Sequence, residues 1–71
     1  MNMEPVNSSW ISEIGHDAGT KTLRVKLKGG RVYEYSGVSA ETHSELMSSK
    51  GIGSHLSSRI VPHHEAVRID G

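Results

Sequence analysis

From Thr22 to Lys28 apolar and basic side chains alternate without a fault, with Leu23, Val25 and Leu27 on one parity and Arg24, Lys26 and Lys28 on the other. A period of two marks a strand with one face buried and one face wet. Upstream, Trp10, Ile11 and Ile14 do not share a strict period. Ser9–Asp17 therefore reads as a strand with a bulge or bend, closed by a turn around Asp17 and Gly19. Gly29 and Gly30 make a hairpin into a third strand, Arg31–Val38. After Val38 the period changes. Ser39 is a candidate N-cap, Glu41 suits a first helical turn, and His43, Leu46 and Met47 share a stripe, which predicts a short helix ending near Gly51. Ile52, Leu56 and Ile60 recur every four residues and predict a second helix, stopped by Pro62.

The predicted fold class is α+β: a three-stranded antiparallel β-meander followed by two short helices on one face, in the order β-β-β-α-α. The strand at 22–28 is central, leaving the first and third strands as open edges. Residues 1–7 read as a frayed N-terminus, 8–61 as a single domain and 62–71 as a tail. Val67 and Ile69 permit an extended segment in that tail, and disorder is the other reading.

Tyr33 and Tyr35 leave the same face of the third strand, and the hairpin register decides which face that is. A two-residue loop at Gly29-Gly30 sets Tyr33 opposite Lys26 and Tyr35 opposite Arg24, an aromatic and basic surface suited to RNA. A three-residue loop pairs rings with aliphatic residues instead: Val25 with Tyr33 and Leu23 with Tyr35 for a loop at 28–30, or Leu27 with Tyr33 and Val25 with Tyr35 for one at 29–31. The two-residue register buries Glu34, at a cost of several kcal/mol for an unpaired carboxylate, whereas both three-residue registers free it beside Arg24 or Lys26. Electrostatics thus favours inward rings, with their hydroxyls at the rim.

Seventy-one residues suffice for one domain, which buries only about 60% of the surface its unfolded chain exposes. There is no cysteine and no Phe, so neither a disulfide nor a thiolate-bound zinc supports the core, which must be Ile, Leu and Val with one Trp and two Tyr. The composition, together with an N-terminus lacking secretory-signal character and the absence of a long apolar run, predicts a soluble cytoplasmic protein without membrane association. Eight Lys/Arg balance eight Asp/Glu, so any attraction for nucleic acid must be local. The local candidates are Lys21, Arg24, Lys26, Lys28 and Arg31, clustered within eleven positions. As a plain solvated face, this stripe would be neutralised in part by Glu13 and Glu34. Five histidines invite a metal reading, but His63 and His64 diverge on an extended chain and no HExxH spacing is present, so neither a metal site nor a cofactor is expected. His16 and Asp17 lack a serine placed as nucleophile, and no enzymatic activity is expected.

The series VNSSWISEIGHD, LRVKLKGGRVYEYSGV and ELMSSKG resembles the KTSC domain, a short bacterial and phage module named for its occurrence at the C-terminus of some lysyl-tRNA synthetases. The resemblance runs from about position 6 to 60 and centres on a Tyr-x-Tyr motif, here Tyr33-Glu34-Tyr35. The chain departs from the family pattern at His16, often aromatic there, at Ser39, often proline, and after Gly51, where an aromatic followed by Asn gives way to Gly53, Ser54 and His55. The family's function is unknown. Its synthetase context implies RNA binding by analogy. The sequence-based expectation is therefore a small non-enzymatic binding module with RNA as partner, using Lys21, Arg24, Lys26, Lys28, Arg31, Tyr33 and Tyr35. The alternative is a protein-interaction module offering an open edge strand or a helix groove.

Overall fold

A computed structural model describes residues Met1–Asp70. The fold is α+β. Five antiparallel strands form one sheet in chain order: β1 (Met3–Pro5), β2 (Ile11–Asp17), β3 (Thr22–Leu27), β4 (Val32–Tyr35) and β5 (Ala66–Arg68). Between β4 and β5 lie α1 (Ala40–Ser48) and α2 (Ile52–His55), the latter running on into a π-helical stretch, Leu56–Ile60.

The three expected strands and two helices are present, with β3 central, but the sheet is wider than the sequence pattern implies. β1 adds to β2, so the segment expected to be frayed contributes an edge. β5 adds to β4 through Tyr33↔Arg68, Glu34↔Val67 and Tyr35↔Ala66, so the tail returns to the sheet as an ordered strand. The edges are therefore β1 and β5. Just beyond β5, Asp70 Oδ1 accepts hydrogen bonds from Arg68 Nε (2.8 Å) and, more weakly, Val32 N (3.2 Å), which holds the Asp70 carboxyl down at about 2.

The turns follow from side-chain chemistry. The irregularity in β2 is a bulge between Ile11 and Glu13, which lets Ile11 and Ile14 both point inward. Asp17 Oδ1 accepts from the Gly19 N–H at 2.9 Å and closes the β2–β3 turn. The β3–β4 loop is Lys28-Gly29-Gly30, one of the two three-residue alternatives. Gly30 N donates to Leu27 O at 3.0 Å, and Gly30 has φ of 101°, a conformation that requires glycine there. Leu23 consequently faces Tyr35, Arg24 faces Glu34 and Val25 faces Tyr33.

That register fixes the core. Ile11, Ile14, Leu23, Val25, Tyr35 and Val38 are buried against Leu46, Leu56 and Ile60 of the helices. Ser39 caps α1 by accepting from Thr42 N at 3.2 Å. In the second helix the Val61 N–H reaches back to Leu56 O at 2.9 Å, and this wider turn accompanies the burial of both Leu56 and Ile60. His43 of α1 stacks on His16 of β2 with ring centroids 4.7 Å apart, while His16 Nε2 lies 2.7 Å from Val38 O. Burial and the neighbouring His16 push the His43 imidazole down from its ordinary value, against a weaker pull from Glu4.

Candidate nucleic-acid interface

Alternation along β3 sends Arg24 and Lys26 to the sheet face that no helix covers. Register places Glu34 directly opposite Arg24, and the guanidinium donates to Glu34 Oε2 from Nε at 3.0 Å and from Nη2 at 2.6 Å. Lys26 faces Glu13, with Nζ 3.9 Å from Oε1. The middle of the basic stripe is thus charge-compensated within the sheet. Lys28 lies in the β3–β4 turn and Arg31 just beyond it, both exposed. Lys21 sits at the opposite end of β3 in a turn with φ of 54°. At about 3.3 Å per residue, Lys21 and Lys28 are roughly 20 Å apart, so the cluster in sequence is dispersed in space. Tyr33 and Tyr35 lie on the helix-covered face. Tyr35 is 8% exposed, and burial with the adjacent Tyr33 pushes its hydroxyl above the ordinary value. Tyr33 is half-buried at the margin of the core beside Arg68.

A second constellation has no counterpart among the sequence-derived candidates. Asn7, Ser8, Ser9 and Trp10, entering β2, face Gly51, Ile52, Gly53 and Ser54 at the start of α2 across a cleft of about 230 Å³. Ser8 Oγ accepts hydrogen bonds from the Trp10 and Ile11 N–H groups, both at 3.3 Å, which sets the course of this segment. The indole lies so close to Gly53 that any Cβ there would overlap its ring nitrogen, so glycine is a packing requirement at that position. Trp10 remains 38% exposed. The Trp10 carbonyl accepts from Lys28 N at 3.0 Å, so the Lys28 backbone adjoins Trp10, and the exposed Lys50 precedes Gly51 in the chain; neither lysine lines the cleft. The lining holds no titratable side chain. A lone Trp in a chain without Phe was the available signal, but the apposition of residues 7–10 with 51–54 is a product of the tertiary fold.

The histidines go elsewhere. His16 and His43 stack, and His64 Nδ1 lies 2.8 Å from Ser36 O. Among the described residues no three His, Asp or Glu side chains converge as a metal-binding group, and no helix is long and apolar enough to cross a membrane.

The family model described as KTSC domain matches residues 7–64, most of the chain. The chain belongs to the KTSC domain family. A curated relative from Tsukamurella paurometabola is 30% identical over 67 residues, covering 94% of this chain and 100% of the relative. Among solved structures, the crystal structure of the KTSC domain protein YPO2434 from Yersinia pestis is similar, with a TM-score of 0.89, 29% identity and 96% coverage of both chains. Both relatives come from bacteria. The match begins at Asn7, so the KTSC region includes all eight residues of the Trp10 cleft as well as the Tyr-x-Tyr strand. β1 and β5 fall outside it.

Proposed function

We propose that this KTSC domain is a small, non-enzymatic RNA-binding module that engages single-stranded RNA at the Trp10 cleft. The supporting observation is the exposed indole set in a polar cleft with no carboxylate in the lining, while the exposed Lys28, bonded through its backbone N–H to Trp10 O, and the exposed Lys50, next to Gly51 in the chain, adjoin the lining residues. An indole stacks on any base, contributing about 1–3 kcal/mol per base. Asn7, Ser8, Ser9 and Ser54 offer hydrogen-bonding groups for base edges and ribose hydroxyls, and the lysines meet phosphates. Arg24 and Lys26 take no leading part in this reading, because binding a phosphate there means competing with Glu34 and Glu13. With zero net charge, affinity is modest and sequence preference weak.

Trp10 is the only tryptophan, so its fluorescence reports the site directly. Titration with single-stranded oligonucleotides at low salt is expected to quench it. With about two phosphates contacted, log affinity should fall against log salt with a slope of about −1.4. Lys28→Glu with Lys50→Glu should weaken binding at least about tenfold, whereas Lys26→Glu should change it less than about twofold. Absence of quenching by any oligonucleotide at low salt rejects the reading. An equal loss on Lys26→Glu moves the interface back to the open sheet face.

A further inference from the structure

The two edges of the sheet differ in how they are protected. β1 ends in Pro5, which has no N–H to offer, and proline is a common device for blunting an edge strand. β5 has only its shortness and Arg68 as guards. Ala66, Val67 and Arg68 are all exposed, with neither a proline nor a bulge among them. Bonds to β4 show which main-chain groups are free: Glu65 O accepts from Ser36 N at 3.0 Å, and Ile69 N donates to Val32 O at 2.8 Å. Residues 65, 67 and 69 therefore turn their main-chain groups toward β4. Ala66 and Arg68 turn theirs outward, presenting two N–H and two C=O groups at strand spacing. Two exposed large apolar side chains lie here as well, Val67 at 57% and Ile69 at 40% exposure.

We propose that β5 is a self-association edge, pairing antiparallel with β5 of a second copy of this chain about a two-fold axis at Val67. In that register Ala66 exchanges both main-chain hydrogen bonds with Arg68 of the second copy, and Arg68 with Ala66 of the second copy, so all the outward groups of both strands are satisfied. Val67 meets its own counterpart at the close, non-hydrogen-bonded position, and the short Ala66 leaves room beside the long Arg68 opposite it. Ile69 faces Glu65 of the second copy, so no like charges oppose one another. Shifting the axis to Arg68 sets guanidinium against guanidinium. A two-fold contact is self-complementary and closes at the dimer, giving a continuous ten-stranded sheet. Only a few residues per chain take part, so the interface falls below the standard size and the association is weak. The edge lies apart from the Trp10 cleft, and the inference does not depend on RNA binding.

Sedimentation velocity between about 10 µM and about 1 mM is expected to show a concentration-dependent monomer–dimer equilibrium with a dissociation constant of roughly 100 µM. Val67→Lys should weaken it at least about tenfold while the melting temperature extrapolated to low concentration stays that of the parent. The chain has no cysteine, so Val67→Cys gives a specific cross-link. Directly opposed residues at a non-hydrogen-bonded position lie about 4.5 Å apart at Cα, within disulfide range. Mild oxidation should join Val67→Cys chains far faster than Ser44→Cys chains, whose thiol sits on the exposed side of α1. A parent chain still monomeric at about 1 mM, a Val67→Lys variant that dimerises like the parent, or equal cross-linking rates at the two cysteines each overturns the proposal.

Discussion

The two faces of the β3–β4 hairpin are made from alternate residues of the same two strands, and they carry different energetic weight. On the covered face Leu23 and Val25 are sealed, opposite Tyr35 and Tyr33. On the open face Arg24 lies against Glu34, and Lys26 against Glu13 one strand over. One register serves both sets at once: slipping it by one residue would drive Glu34 into the core and push both rings into water. The covered face determines the register, and charge pairing on the open face follows from it. The basic stripe is therefore a consequence of packing before it is a binding surface.

The largest expected effects lie on the covered face, and the two tyrosines should not be equivalent. Tyr35→Ala removes a ring from the sealed core and should cost about 3–5 kcal/mol, close to the lower end of the stability of a small domain, leaving a largely unfolded chain. Tyr33→Ala, at the half-buried margin, should cost roughly 1–2 kcal/mol and leave a folded protein. Tyr35→Phe should lose about 1 kcal/mol or less, since the ring stays in place. Urea unfolding followed by far-UV circular dichroism measures all three. Equal losses at the two alanine variants would mean that Tyr33 is as deep as Tyr35 and that the core extends further toward β5.

Much of this hairpin was legible beforehand because Glu34 stands between the two tyrosines. A carboxylate that cannot be buried discriminates between loop lengths, and Gly30 supplies the left-handed position that the three-residue loop needs. The Ser39 cap, the bulge after Ile11 and the four-residue spacing of Leu56 and Ile60 were local signals of the same kind. β1 and β5 were not legible as firm strands, because three-residue segments with mostly exposed side chains have no alternation to detect. The Trp10 cleft escaped for a different reason: its walls are forty residues apart in the chain, and the serines and glycines lining it also serve as turn residues. The sequence cluster of cations failed to predict a spatial cluster because strand geometry separates Lys21 from Lys28 while register pairs Arg24 with Glu34.

A pH titration probes the covered face, where the His16–His43 stack joins β2 to α1. His43 has its folded-state pKa lowered, first by burial and then by His16, so the native state resists a proton that the unfolded chain accepts near its ordinary 6.5. Between 6.5 and the lower native value the unfolded state binds more protons, and stability must fall as pH falls. The Glu4 carboxylate works against this without reversing it. Urea midpoints measured from pH 8 to pH 5 should decline as pH drops below about 6.5, and His43→Gln should flatten that decline. Asp70 belongs to a separate window: held at about 2 against an ordinary 3.8, its contribution is present above 3.8 and is lost only as pH falls through about 2. A decline confined to pH below 4 would remove the histidine stack from the account.

The smallest expected effect is on the open face. Arg24 and Glu34 form the shortest ion pair in the domain among the described residues, and short distance invites the inference of a large contribution. Their side chains remain 37% and 29% exposed, however, and water and salt screen most of the attraction. A double-mutant cycle with Arg24→Gln and Glu34→Gln should yield a coupling of about 0.2–1 kcal/mol, falling further in 0.5 M salt. Neither variant should alter the Trp10 quenching expected for RNA, since neither side chain lines the cleft. A coupling of about 2 kcal/mol or more would overturn the subordinate role of the open face. It would mean that the open face helps to set the hairpin register, and that Arg24 is held too firmly by Glu34 to be available to any phosphate.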